Sequence, residues 1–361
     1  MYKLRRELAR ALVRLFVQKG VIPLPSFVRR SIIRFWNKSN MLAETMRKHP
    51  MAGPGLDSRL DLLDLSCTAG YGQTVHPCAR FVPAGFGAEL WRYVLTVSGF
   101  PNSHDFFENP ELLVSHDGLH WKVPDGGMSP LASPPMDWLG YHSDPFLFVE
   151  NGKIYLIYRR FMDGDKQAVL LIMLQSSDGM IWKQPQVIFE KSEMADAEGL
   201  LMSPSLLRIN TRYVMWYVDR ISNGHYVIRR SESDDLRQWA ETSEVAIEGL
   251  LDGEEPWHLE VVRLKEGEDE LTMLLTVFSE EAPAVKSLML MNSLDEGQTW
   301  KATGARLYPR DLSHPPESLY KSSILVEPNA RARLYVSLKV QDGSWWTYTG
   351  EFSANTILAR E

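Results

Sequence analysis

A short turn pattern ending in tryptophan returns four times at nearly constant intervals. It reads SHDGLHW at residues 115–121, SSDGMIW at 176–182, SDDLRQW at 233–239 and, one residue longer, SLDEGQTW at 293–300, which puts the tryptophans 61, 57 and 61 residues apart. A period of this length marks a supersecondary unit that cannot bury its apolar face alone, so its copies must be arranged around a ring or along a solenoid. Strand-rich units of about 40 to 50 residues or more suit propeller blades. Each copy also has the same prelude. A polar cluster opens an apolar strand in VHPCARFV (from Val75), HSDPFLFV (from His142), SPSLLRI (from Ser203), PWHLEVVRL (from Pro256) and YKSSILV (from Tyr320). Turns such as Asn151-Gly152 and Asn210-Thr211 follow, then strands such as KIYLIYR, RYVMWYV and LTMLLTV. Five openings predict five blades, the last closed by the atypical QDGSWWTYTGEF. The expected class is all-β, a five-bladed β-propeller over residues 71–361.

This topology sorts the polar residues. If each innermost strand runs down the central channel, the openings converge at one end, while the SxDGxxW turns gather at the other. There Asp117, Asp178, Asp235 and Asp295 need only tie their own turns. The opening end is dense in titratable groups: His76, His142 and His258 from the openings, His104, His225 and His314 from loops, and the carboxylates Asp105, Glu108, Asp144, Asp163, Asp165, Asp219, Glu260 and Glu317. Trp138, Tyr141, Trp257 and Tyr320 accompany them. Carboxylates beside aromatic faces suit sugar rings, which offer hydroxyls at the edge and C–H bonds on the face.

The segments SDPFLFVENGKIYLIYRR, SPSLLRINTRYVMWYVD and WHLEVVRL resemble blade openings of the five-bladed β-propeller glycoside hydrolases, the group containing families 43, 32, 62, 68 and 130. The resemblance spans roughly residues 71–352. It implies a glycosidase in which an Asp from an opening acts as base or nucleophile and a Glu from a later blade protonates the leaving oxygen. Here the first opening carries His76-Pro77 and the third Ser203-Pro204-Ser205, so the group's triad does not transfer blade by blade.

Glycosidic hydrolysis needs two carboxylates about 5 Å apart for retention or about 6.5 to 9.5 Å apart for inversion. Asp144 as base or nucleophile and Glu260 as general acid are the expected pair, with Glu108 as the substitute. His76, His142, Arg159, Trp257, His258, Tyr320 and Lys321 are expected to bind and orient the carbohydrate substrate. Whether Arg159 or Arg160 turns inward depends on strand register. No cofactor is expected, and no HxH or HxxxH spacing supports a metal, although the histidines could gather a divalent ion. The rival reading is a noncatalytic carbohydrate-binding or scaffold propeller. A sialidase, expected to have six blades and three clustered arginines, is disfavoured.

Charge divides the chain. Residues 1–50 hold twelve Lys and Arg against Glu7 and Glu44, a net +10, which leaves −17 for the remainder. Nucleic acid is therefore not an expected partner of the propeller. In the basic segment, Leu4, Leu8, Leu12, Leu15 and Phe16 recur at helical spacing, as do Val28, Ile32, Phe35 and Trp36, so an N-terminal α-helical extension over residues 1–50 and a linker over 51–70 are predicted. These helices either pack on the acidic main domain or lie on an anionic membrane surface. With no apolar run long enough to span a bilayer, the chain is expected to be cytoplasmic, peripheral at the inner membrane surface in the second case. Cys67 and Cys78, too few for a disulfide framework or a zinc cluster, are expected to be small buried hydrophobes.

Overall fold

The computed structural model describes residues 60–133, 140–162, 168–192, 200–221, 224–264, 269–279, 286–312, 314–327 and 331–353. The chain divides into two units, Met1–Met51 and Ala52–Glu361. The first unit, with the helices expected at residues 1–50, lies outside the described residues, as do Trp138, Asp163 and Asp165. Among the described residues no helix is long and apolar enough to cross a membrane.

Five antiparallel sheets form the ring of a five-bladed propeller. The first described strand, β1 (Asp61–Leu62), belongs to the last blade. Blade one is β2 (Thr74–Phe86), β3 (Trp91–Gly99) and β4 (Pro110–Ser115); blade two is β5 (Tyr141–Glu150), β6 (Lys153–Met162), β7 (Ala168–Ser176) and β8 (Gln186–Ser192). Blade three is β9 (Met202–Ile209), β10 (Arg212–Arg220), β11 (Tyr226–Ser233) and β12 (Ser243–Glu244). A short strand, β13 (Ala246–Glu248), runs parallel to the outer edge of blade four, whose strands are β14 (Glu254–Val262), β15 (Leu271–Ser279), β16 (Lys286–Ser293) and β17 (Thr299–Leu307). Blade five is β18 (Ser318–Val326), β19 (Arg331–Lys339) and β20 (Trp345–Ser353), completed by β1 through Asp61↔Thr349 and Leu62↔Tyr348. Residues 60–65 fall within the stretch expected as a linker. Leu60, Leu63 and Leu65 are buried, and this stretch closes the ring by covering the edge that β20 would otherwise expose.

Each blade is buried on both faces, which is why its central strands read as continuous apolar runs. The period-two geometry of β10 distributes Val214, Trp216 and Val218 to the core shared with blade four, and Met215 and Tyr217 to the core shared with blade two. The repeated turns behave as their sequence implies. Asp117 accepts backbone N–H bonds from Leu119 and His120, and Asp178, Asp235 and Asp295 do the same for their own turns. The turns also join blades: the Trp216 indole donates to the Gly297 carbonyl at 2.9 Å, so tightly that a Cβ on Gly297, whose φ is +76°, would lie 2.4 Å from the ring.

The inner strands β2, β5, β9, β14 and β18 pack around the axis, with β18 returning to β2. One side chain on each of four inner strands accepts a backbone N–H from the next. Cys78 Sγ accepts from Leu147 at 3.3 Å, Ser205 Oγ from Val261 at 2.9 Å, Glu260 Oε2 from Ile324 at 2.8 Å and Ser323 Oγ from Ala79 at 3.0 Å. The equivalent residue of blade two is the apolar Phe146, over whose ring the Arg80 guanidinium lies at 4.9 Å. Cys78 is buried as expected, whereas Cys67 is exposed.

Candidate functional site

Two residues before each of these bonding positions, the inner strands present His76, Asp144, Ser203, His258 and Lys321, one residue per blade. None of the five is more than 2% exposed. The strands break register where these residues stand, between Val75 and Cys78, Ser143 and Phe146, Pro256 and His258, and Leu319 and Ser322, with the β9–β10 pairing interrupted between Met202 and Ser205. Such bulges re-aim side chains that plain alternation would send elsewhere. In the first three blades the residue concerned precedes a proline and has positive φ: +57° at His76, +49° at Asp144 and +50° at Ser203. A residue before proline ordinarily takes an extended conformation, so three equivalent left-handed residues are three local costs held in place by the surrounding fold.

Asp144 is the hub. Its Oδ2 accepts from Ser143 Oγ at 3.0 Å and from Arg159 Nη1 at 3.2 Å. Its Oδ1 accepts from Ser203 Oγ at 3.1 Å and lies 3.4 Å from His258 Nδ1 and 3.6 Å from His76 Nε2. Arg159, whose Nη2 also donates to Tyr141 Oη at 3.1 Å, is therefore the inward-facing member of the Arg159-Arg160 pair. Burial alone would favour the protonated acid, but His76, His258 and Arg159 outweigh it and hold the Asp144 carboxyl well below the usual range. His258 is pushed down to about 4 by burial against the pull of Asp144, with Lys321 and Lys286 adding to the fall. Burial likewise keeps His76 neutral, with His258, Lys321 and Arg159 reinforcing it against Asp144.

The tautomer of His258 follows from counting protons. Ser203 gives its hydroxyl proton to Asp144, so in the 2.6 Å contact with His258 Nδ1 the imidazole must donate. The Nε2 lone pair is left buried and, among the described residues, without a hydrogen-bond partner. Because Ser203 and Asp144 face the same ring nitrogen, the three do not form a nucleophile relay, which needs the two nitrogens on different partners. Both ring nitrogens of His76 also lack a hydrogen-bond partner among the described residues, although Nδ1 lies 3.4 Å from Glu108 Oε1. Glu108 comes from the loop between β3 and β4, and burial together with Asp144 raises its pKa well above the ordinary value, against Arg159.

The donor atoms of His76, Asp144 and His258 lie within 4.8 Å of one another. Two neutral imidazoles with unpartnered nitrogens and one ionised carboxylate form a donor set that fits a first-row divalent cation. An aromatic wall flanks the cluster: Tyr320 packs on His258 at 4.3 Å and on His76 at 5.3 Å, and Trp257 meets His258 at 5.6 Å.

The structure brings together His76, Asp144, Glu108, Arg159, His258, Tyr320, Trp257 and Lys321. Glu260 stands two residues beyond the ring, and its oxygens are filled. Oε1 takes Arg80 at 2.8 Å, Ser323 Oγ at 3.0 Å and the Cys78 thiol at 3.4 Å, while Oε2 takes the Ile324 N–H. His142 is turned to Asn109 Oδ1 at 3.1 Å and packs against Tyr158, so it braces the β3–β4 loop. Ser203, which sequence reading registers only as a departure from the glycosidase pattern, is a full member. Its signal is the X-Pro step shared with His76-Pro77 and Asp144-Pro145.

No family model matches the chain. A curated relative, the A type blood N-acetyl-α-D-galactosamine deacetylase of Flavonifractor plautii, is 24% identical over 270 residues, covering 63% of this chain and 34% of the relative. The chain thus spans about a third of that protein's length. The crystal structure of an N-acetylgalactosamine deacetylase from F. plautii, in complex with blood group B trisaccharide, superposes with a TM-score of 0.66 at 18% identity, covering 79% of this chain and 92% of that one. A glycoside hydrolase family 43 protein from Bacillus licheniformis gives 0.57 at 13% identity over 81% and 54% of the two chains. A family 32 β-fructofuranosidase from Bombyx mori gives 0.54 at 13% over 77% and 59%. The fold is that of the five-bladed propeller glycoside hydrolases.

Proposed function

We propose that this propeller is a carbohydrate-active hydrolase that removes an acyl group from the nitrogen of an amino sugar, with His76, Asp144 and His258 holding a divalent cation. The observation that carries the reading is the set of unpartnered imidazole nitrogens around one ionised carboxylate, buried at the channel mouth. The likeness to a deacetylase of N-acetylgalactosamine supports it. Bound there, a divalent cation would polarise the amide carbonyl and acidify a water molecule. The chain's own groups supply the rest. Arg159 and Ser143 keep Asp144 ionised and oriented, and Ser203 holds His258 in the tautomer that offers Nε2. Glu108, inclined to keep its proton, stands beside His76 where a proton can be passed to the departing amine. Tyr320 and Trp257 offer faces to the sugar ring.

Glycosidic cleavage is the second reading, favoured by one observation: Glu108 and Asp144 flank His76 from opposite nitrogens, a carboxylate pair with divergent environments. One assay separates the two. N-acetylated and plain glycans are incubated with wild type, Asp144→Asn, His258→Ala and Glu108→Gln, and both acetate and new reducing ends are quantified alongside bound metal. Acetate release that falls at least about a hundredfold in Asp144→Asn and His258→Ala, together with metal content, supports deacylation. Reducing ends without acetate, lost in Asp144→Asn and Glu108→Gln and indifferent to chelation, would establish the glycosidase. Binding of glycans with neither product would make this a binding propeller.

A further inference from the structure

The ring has a fifth member whose charge no described residue answers. Lys321 is 1% exposed, and among the described residues its Nζ has neither a hydrogen-bond acceptor nor a carboxylate at ion-pair distance. Burying an unpaired ammonium is expensive, and the cost is recovered only when an oxygen-bearing partner arrives. A second lysine approaches from blade four. Lys286, the first residue of β16, holds its Nζ 4.3 Å from the Trp257 ring and 4.9 Å from the Tyr320 ring. It is half-buried, and no described carboxylate pairs with it. Trp257 precedes His258 and Tyr320 precedes Lys321 in their strands, Lys286 lies over both rings, and the electrostatic influence of both lysines reaches His258. The Asp144 carboxylate lies 3.4 Å from Nδ1 of that imidazole. The one ionised carboxylate, Asp144, is thus answered by Arg159 of its own blade, while the two lysines from blades four and five have no described carboxylate at ion-pair distance.

We propose that Lys321 and Lys286 form an anion subsite beside His258, so that the glycan bound here carries an acidic substituent: a carboxylate, sulfate or phosphate. This rests on the carbohydrate reading of the site. The two lysines come from different blades, and Trp257 and Tyr320, over which Lys286 lies, hold its ammonium beside the cluster where the charged group of the sugar would reach it.

Calorimetric titration of the full chain tests the subsite, with N-acetylgalactosamine as the neutral probe and its 6-sulfate, its 6-phosphate and galacturonate as the acidic ones. At least one acidic sugar is expected to bind wild type roughly tenfold more tightly than the neutral sugar. Lys286→Met should erase that preference while leaving neutral affinity within about twofold, and Lys286→Arg should keep it. The three acidic arms separate a carboxylate from a sulfate or phosphate. Equal affinity for neutral and acidic sugars in wild type overturns the subsite and leaves the carbohydrate reading standing, as does a preference that survives both Lys286→Met and Lys321→Met. Failure of every sugar to bind overturns both.

Discussion

Ser203 has one hydroxyl proton and gives it to Asp144, which fixes the proton of His258 on Nδ1 and frees Nε2. It does so from a backbone conformation that costs an ordinary L-residue about 1 to 2 kcal/mol. Ser203→Gly removes the hydroxyl and the strain together, so its consequences for stability and for chemistry should part company. The expected outcome is a thermal midpoint equal to or above that of wild type, with activity and metal affinity reduced about 10- to 100-fold. If activity fell only in proportion to folded protein, the orienting role would be lost. The residue was hard to read from sequence because serine is the commonplace choice in turns and caps. Asp144 and His258, by contrast, stood out as titratable groups at strand openings. Lys286 was out of reach for another reason: its neighbours Trp257 and Tyr320 belong to other strands, and no local pattern brings them together.

At the scale of the strand, a bulge decides which residues meet the axis. From its place at the opening of blade four, Glu260 is expected to stand across the channel from Asp144 as general acid. Beyond the bulge at Trp257, His258 and Glu260 share one face of β14; His258, nearer the start of the strand, meets Asp144, and Glu260 lies further along among the bonds that tie inner strands together. Glu260→Gln deprives Arg80 of its anion, and removing one partner of a buried pair costs about 3 kcal/mol. The expected result is a lower urea midpoint with turnover per folded molecule nearly unchanged. A general acid would show the reverse, lost turnover at full stability. The repeat itself was legible because its determinants are local: Asp117, Asp178, Asp235 and Asp295 bond within their own turns, and strand alternation feeds the cores between blades. Ring closure was not, because β1 is two residues long and its partner β20 lies at the other end of the chain.

For the molecule as a whole, Glu111 ties the approach to the first blade to the body of that blade. Its oxygens accept the Ala69 N–H and the Ser129 hydroxyl, and burial raises its pKa from an ordinary 4.5 to about 6 despite those bonds. Between those values the folded chain keeps a proton that the unfolded chain has released, so stability falls as pH rises from about 4.5 to about 6 and is level beyond. The loss is about 2 kcal/mol. Chemical denaturation should show the stability difference between Glu111→Gln and wild type shifting by that amount in favour of the variant from pH 4 to pH 7; a constant difference would refute the assignment. The five residues at the channel mouth carry a consequence of another kind. Each is supplied by its own strand, and the bonds that link the inner strands lie two positions further along. Mutation can therefore exchange one reagent at a time without unpicking the ring, so that descendants of one propeller could drift between unrelated reactions through single substitutions while the architecture is inherited unchanged.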